Sequence, residues 1–261
     1  MIGVRVTVLG TGAALATGDR VQTGLLVDMG GSTLLVDCGS GVLHRLAGIG
    51  RDLTEIDAVL LSHTHLDHVS DLPGLAKARW MIDGSTTPII GPPGTAADIA
   101  PLFELDGQSD RIDVSCFEIG AEPRDRREID VPGTEGIDVS VVPTVHSRPG
   151  VGYRFEDRFG FSGDTEASAN LLGFFDGVDV LVHDCARPPG GEPDNHPTPE
   201  ALSEALETAD PDIDRLYLTH LYPDAAARAD EAREVVAEPT DATVHVAADT
   251  DIVVSERDQT N

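Results

Sequence analysis

The chain has 261 residues, with 46 acidic against 18 basic side chains and a formal charge of −28. That length suits a single large α/β or two-layer domain over residues 1–261, since one hydrophobic core stops growing at roughly 250–300 residues. Three cysteines without a CxxC spacing exclude a disulfide scaffold and point to a reducing, cytoplasmic compartment, and the acidic balance disfavours nonspecific nucleic-acid binding.

Short apolar runs bounded by Gly, Pro, Asp or Ser recur along the chain: Val4–Leu9, Thr33–Val36, Ala58–Leu61, Val139–Val142, Val178–Val182, Leu216–Leu218 and Val244–Ala248. Their length and β-branching predict strands buried on both faces. Gly10-Thr11-Gly12 after the first run predicts a tight turn; a nucleotide loop would need a third glycine and a helical pattern at the right spacing. A helix is expected from Val69 to near Met81, after a His-rich loop, and Pro92-Pro93-Gly94 reads as a turn opening another. Residues 151–163 fit a hairpin, Val151–Phe155 with Phe159–Gly163. Thr198 is the expected N-cap of a helix with Pro199 at its first position, and Leu202, Ala205, Leu206 and Ala209 form its buried stripe. A further helix is expected from Pro223 to near Val236, and the polar tail Ser255–Asn261 should fray. Strand runs first, then strands alternating with helices, indicate sheets covered by helices. No apolar stretch approaches the roughly 18 residues of a membrane span, and the N-terminus lacks a signal-peptide pattern.

Residues 61–68 read Leu-Ser-His-Thr-His-Leu-Asp-His. His63 and His65 point to one side of an extended chain, and Asp67 with His68 turns the corner where a loop leaves the strand. His146, Asp164 and His220 each follow a later strand run, so all seven groups belong to strand ends that a sheet sets side by side. Imidazole and carboxylate suit zinc, manganese or iron(II). Seven ligands exceed the needs of one ion, which implies two divalent metals, zinc first, sharing a bridge. His44 and His245 are expected to be structural.

The segment Ser62–His68 resembles the HxHxDH signature of the metallo-β-lactamase superfamily, and His146, Asp164 in Phe-Ser-Gly-Asp-Thr and His220 in Leu-Thr-His-Leu resemble its later motifs. The resemblance spans Leu9 to His220 and implies a four-layer αββα sandwich with the site at its edge. It also implies one metal on His63, His65 and His146, a second on Asp67, His68 and His220, and Asp164 between them. Val182-His183-Asp184-Cys185-Ala186 resembles the HEAT loop, and His196-Pro197-Thr198 the HST loop, of RNase Z-like phosphodiesterases. Two departures stand out. Residues 147–163, where such enzymes often insert a long tRNA-binding arm, have room only for the hairpin, and Asp184 replaces a glutamate. The arginines of Pro123–Glu128 are interleaved with Asp125 and Glu128 and read as a solvated loop.

The expected chemistry is metal-assisted hydrolysis of a small or single-stranded phosphodiester, with poor tRNA 3′ processing. Asp67 would orient the attacking water, Asp184 with His196 would protonate the leaving oxygen, and Arg148 and Arg187 would clamp phosphate. A homodimer is the oligomer considered. The alternatives are a thioester, ester or lactone hydrolase of the glyoxalase II type, and, in another class, a non-haem di-iron redox protein or a non-catalytic binding protein.

Lys77 is the only lysine, the other basic residues being arginines. Such a surface resembles that of a salt-adapted protein: at 0.1 M salt the Debye length is about 10 Å and its carboxylates repel, whereas at 1 M it is about 3 Å. Thermal unfolding midpoints should therefore climb steeply from dilute buffer to molar KCl, and a flat profile would remove the salt-adaptation reading.

Overall fold

The computed structural model describes residues 3–105, 107–117, 127–131, 134 and 137–254. The tail Ser255–Asn261 and Arg124 and Arg126 lie outside them.

Two seven-stranded sheets form the middle of the molecule. In chain order the first contains β1 (Val4–Gly10), β2 (Gly24–Met29), β3 (Ser32–Val36), β4 (Ala58–Leu60), β5 (Thr87–Gly91) and β6 (Ile112–Cys116). It carries helices α1 (Val42–Gly48), α2 (Leu66–Val69), α3 (Leu72–Asp83) and α4 (Thr95–Glu104). The second contains β7 (Arg127–Ile129), β8 (Val139–Pro143), β9 (Val151–Phe155), β10 (Phe159–Phe161), β11 (Val180–Asp184), β12 (Arg215–Thr219) and β13 (Thr243–Val246). With it go α5 (Ala169–Phe174), α6 (Pro199–Ala209), α7 (Pro223–Ala226) and α8 (Ala229–Ala237), and β14 (Ile252–Val254) returns to pair with β1. Each sheet begins antiparallel and becomes parallel, at β3–β4 in the first and β10–β11 in the second.

Alternation along the strands separates three cores. Val6, Val27, Leu34 and Leu60 face Val141, Tyr153, Phe159 and Val182 between the sheets. Leu9, Leu35 and Leu61 face Leu46, Leu75 and Phe103 beneath the helices of the first sheet. Leu181, Leu216 and Leu218 face Leu172, Leu202, Leu206 and Val236 on the other side. These contacts make the αββα order. The inner strands of the parallel halves, such as β4 and β11, are covered on both faces, which is why the sequence shows unbroken apolar runs there, whereas the edge strand β6 is largely exposed.

Thr198 caps α6 as expected, its side chain accepting from the Ala201 amide. Other boundaries differ. The run starting at Val178 becomes strand only at Val180, because Val178 still closes a turn onto the Phe175 carbonyl. The helix expected from Val69 is broken at Ser70–Asp71, where Asp71 Oδ2 accepts from the Gly41 and Leu43 amides of the α1 start. The helix expected from Pro223 is two, interrupted at Ala227–Arg228. Among the described residues no helix is long and apolar enough to cross a membrane.

The sheets are stitched at one edge. The Tyr153 hydroxyl on β9 donates to the Leu61 carbonyl at 2.7 Å, and the Val151 amide donates to the Ser62 carbonyl at 2.9 Å. Both bonds fix the chain that leaves β4 toward His63. Tyr153→Phe should lower stability by about 1–3 kcal/mol, the cost of leaving a buried carbonyl unpaired. The check is a urea midpoint at fixed salt, with the slope of the transition unchanged.

Candidate metal centre

The edge where these bonds lie is the C-terminal end of the parallel strands, where open α/β sheets place their sites. His63 and His65 lie on extended chain past β4, His65 is the N-cap of the short α2, and Asp67 and His68 occupy its single turn. The second sheet contributes His146 after β8, Asp164 after β10, Asp184 at the end of β11 and His220 after β12. Gly39, after β3, lets the two loops touch: a Cβ there would lie 2.0 Å from the Asp67 carbonyl oxygen.

Seven side chains predicted from the sequence come together in two groups. His65 Nδ1 lies 3.0 Å from His63 Nε2 and 3.1 Å from His146 Nε2, so three imidazole nitrogens face one point. Nitrogens bound tetrahedrally at about 2.0–2.1 Å to one zinc ion stand about 3.3 Å apart, close to this spacing. The second group is Asp67, His68 and His220, with His220 Nε2 at 3.7 Å and His68 Nε2 at 3.8 Å from Asp67 Oδ2. Asp164 belongs to both. Its Oδ2 is 3.6 Å from His63 Nε2, 3.3 Å from His68 Nε2 and 3.2 Å from His220 Nε2.

Hydrogen bonds from the opposite ring nitrogens aim the rings. His146 Nδ1 donates to the Asn195 carbonyl, His220 Nδ1 meets Thr23 Oγ1 and His68 Nδ1 donates to Asp37 Oδ2 at 2.8 Å. Such partners select the tautomer that presents the other nitrogen to a metal. His68 Nε2 is fully buried with no hydrogen-bond partner. A buried ring nitrogen of this kind, between two carboxylates and opposite another imidazole, marks a point where positive charge is favoured, which fits a cation.

Burial pushes His63, His65 and His220 below the usual imidazole range, leaving them neutral at pH 7 and able to act as ligands. Burial also works against a charge on His68, but the Asp164 and Asp37 carboxylates outweigh it and raise its pKa well above the ordinary value. At Asp164 burial opposes ionisation, and the neighbouring His220, His68 and His63 overcome it to hold the carboxyl well below its usual range.

Asp184 and His196 form a third, adjoining cluster with Asp164. His196 Nδ1 donates to Asp184 Oδ2 at 2.7 Å, and Asp184 also accepts from the Thr165 and Ala186 amides. Burial disfavours a charged His196, yet the Asp184 carboxylate wins and lifts its pKa. His183 points the other way in the strand alternation. It is buried and donates to the Asp184 carbonyl.

A cavity of about 430 Å³ opens over the centre, lined among others by Leu66, Asp67, His146, Arg187, His196 and Tyr222. Arg187 is held by the Asp194 carbonyl and lies 5.3 Å from the Tyr222 ring centre. Arg148 is not in that lining: it is half-exposed and pairs with Asp98 of α4, which also accepts from the Thr64 hydroxyl.

The sequence reading missed Asp37, Thr23, Asn195 and Tyr222. Asp37 had a signal, since it directly follows the run Thr33–Val36 and so obeys the same strand-end rule as the ligands. The other three carry none, because each acts through a contact distant in sequence.

Two stacked sheets whose parallel strand ends hold two imidazole and carboxylate groups around one shared aspartate define a metal-dependent hydrolase of the metallo-β-lactamase fold. The family model described as Anti-Pycsar protein Apyc1 matches residues 4–204. The ribonuclease Z of Mycobacterium sp. (strain KMS) is 32% identical over 246 residues, 85% of this chain and 86% of that protein. The metallo-β-lactamase fold protein YhfI from Bacillus subtilis superposes with a TM-score of 0.78 at 22% identity, over 96% of this chain and 98% of its own. Human tRNase Z, short form, superposes at 0.74 with 20% identity over 98% and 100%. The chain belongs to the RNase Z-like branch of the metallo-β-lactamase superfamily and to the family that the matching model describes.

Asp37→Asn should weaken metal binding by about 10–100-fold, the usual cost of losing the carboxylate behind a ligand histidine. Competition against a coloured chelator reads this, with far-UV circular dichroism showing that the fold is retained.

Proposed function

We propose that the protein is a dinuclear phosphodiesterase for small or single-stranded phosphodiesters, poor at trimming folded tRNA precursors. The observation that carries this reading is the His196–Asp184 pair beside the shared Asp164: a leaving alkoxide needs a proton donor next to the metals, and a thioester's thiolate does not. Relatives named ribonuclease Z support phosphodiester chemistry.

In this reading His63, His65 and His146 hold one divalent ion, Asp67, His68 and His220 hold the other, and Asp164 joins them. The oxygen and nitrogen donor set suits zinc, with manganese or iron(II) as substitutes. When bound, such a pair of ions lowers the pKa of water toward 7 and polarises the phosphoryl oxygens. Asp67 accepts a hydrogen bond from the attacking water and orients it. Asp184 is buried and fully engaged, so it acts through His196 by fixing its Nδ1; Nε2 is then the nitrogen that carries the proton to the leaving oxygen. Arg187 is the phosphate contact, since it is the arginine in the cavity lining. Arg148 takes a structural place, tying the His146 loop to α4 through Asp98.

Poor tRNA processing is supported by residues 147–163, which hold the β9–β10 hairpin within the sheet and no protruding arm. A surface of net charge −28 adds little attraction for an RNA elbow. Without remote contacts an extended substrate loses positioning at the reacting centre. The cysteines are unpaired, which supports the cytoplasm as its compartment.

The test compares an activated aryl phosphodiester, an unactivated dinucleotide and a tRNA precursor in molar salt with zinc or manganese. Both diesters should turn over and the trailer should not be removed efficiently. His196→Ala should cost about 10²–10⁴-fold on the dinucleotide, whose leaving alkoxide needs the proton. On the nitrophenyl ester the loss should be under about tenfold, because that leaving group departs as a stable anion. Efficient site-specific trailer removal would overturn the substrate reading, and activity confined to thioesters would move the protein to the glyoxalase-like class.

A further inference from the structure

The Gly10-Thr11-Gly12 segment, expected as a tight turn, is instead extended chain that runs on from β1 into bridges at Gly12, because Gln22 and Leu221 pair with it on either side, and the chemistry above does not use it. The returning chain is pressed against it: a Cβ on Gly10 would lie 1.8 Å from the Gln22 carbonyl oxygen. The tie comes from Asp249, which follows β13 and is buried against the loop. Its Oδ1 accepts from the Thr11 amide at 3.0 Å and the Thr11 hydroxyl at 2.7 Å, and its Oδ2 accepts from the Val21 amide at 2.8 Å. Arg45 of α1 donates to the same Oδ2 through Nε and Nη2, at 3.2 and 3.0 Å. Arg20 closes the clasp by donating to the Thr11 hydroxyl and the Ala247 carbonyl.

The far side of the loop is the support of His220. The Leu221 amide donates to the Thr11 carbonyl at 3.1 Å, and Gly12 pairs with both Gln22 and Leu221. Thr23 Oγ1 lies 3.4 Å from the Gly12 carbonyl and 3.0 Å from His220 Nδ1. A hydroxyl has one proton, so donating to Gly12 leaves it to accept from His220 Nδ1–H. That choice fixes the tautomer and turns the Nε2 lone pair toward Asp164 and Asp67. His220 also has φ +60°, a left-handed conformation that a side-chain-bearing residue keeps only when its surroundings enforce it.

We infer that Asp249 is a positioning residue for the second metal ligand set: by clamping Thr11 it sets the Gly12 carbonyl and Leu221, and through them the conformation and tautomer of His220. This rests on the dinuclear reading. It predicts a loss confined to one site, whereas a merely structural carboxylate would loosen both.

The experiment titrates Co2+ into metal-free protein in molar salt and follows the visible absorption. Wild type should fill two sites, the one supported by His220 being the step lost in His220→Ala. Asp249→Asn should weaken that step by about 10–100-fold and leave the other unchanged. Thr11→Val, a milder change, should move the same step in the same direction, and it carries the test if Asp249→Asn does not fold. Asp28→Asn is the control, since Asp28 pairs with Arg51 and Thr33 away from the centre and its loss should alter neither step. Two unchanged steps, or equal weakening of both, in folded Asp249→Asn or Thr11→Val would overturn the inference alone. A wild-type protein that takes up a single ion would overturn the dinuclear reading and the inference with it.

Discussion

A single buried carboxylate, Asp164, decides how this edge of the molecule is arranged. It lies between histidines from both sheets, and it stays ionised although almost fully buried because those imidazoles surround it. Removing a carboxylate from water costs several kcal/mol unless its partners return that amount, so the strand ends that carry the partners must be fixed to within a fraction of an ångström. The bonds from Tyr153 to the Leu61 carbonyl and from the Val151 amide to the Ser62 carbonyl meet that requirement by locking one sheet to the other beside His63. The fold therefore serves the site through backbone placement. The three apolar cores hold the sheets, and the sheets hold the loops.

The carboxylate behind the histidines extends the same logic outward. Asp37 directly follows β3, before any of the grouped side chains in the sequence, and it engages the Ser62 amide, the Ser62 hydroxyl and His68 at once. One carboxylate thus fixes both the backbone that leads to His63 and the ring of His68. Asn195, whose carbonyl holds His146, precedes His196, so one loop positions both the His196–Asp184 pair and the His146 ring.

The sequence was most informative where one element does one thing. Strand runs such as Ala58–Leu61 and Val139–Val142 stand almost where expected, because β4 and β8 are each covered on both faces and the apolar pattern has no alternative use. The grouping of the seven side chains was legible for a related reason: they stand at or just past the ends of apolar runs, where polar groups are costly unless they have a purpose. Helix continuity was less legible. The break at Ser70–Asp71 depends on Asp71 accepting from the amides of a helix about thirty residues earlier, a tertiary contact that outweighs local propensity. Arg148 shows the same limit in the site. Its nearness in sequence to His146 suggested a phosphate contact, but Asp98 on a distant helix draws it away from the cavity.

Carboxylates illustrate how environment assigns roles to identical groups. Asp164 faces four imidazoles and is suited to a metal bridge. Asp184, one strand away, accepts from two backbone amides and one imidazole, and its shortest bond, 2.7 Å, is the one to His196. That bond also accounts for the aspartate standing where the resembling loop has glutamate. The partner needed is His196 Nδ1, held at 2.7 Å by the start of α6, so a side chain one methylene shorter reaches it without entering the metal groups. His196 and the grouped side chains thus both abut Asp164 yet differ in environment: the Asp184 carboxylate overcomes burial and lifts the pKa of His196, whereas burial prevails at the stacked His220 ring and lowers it.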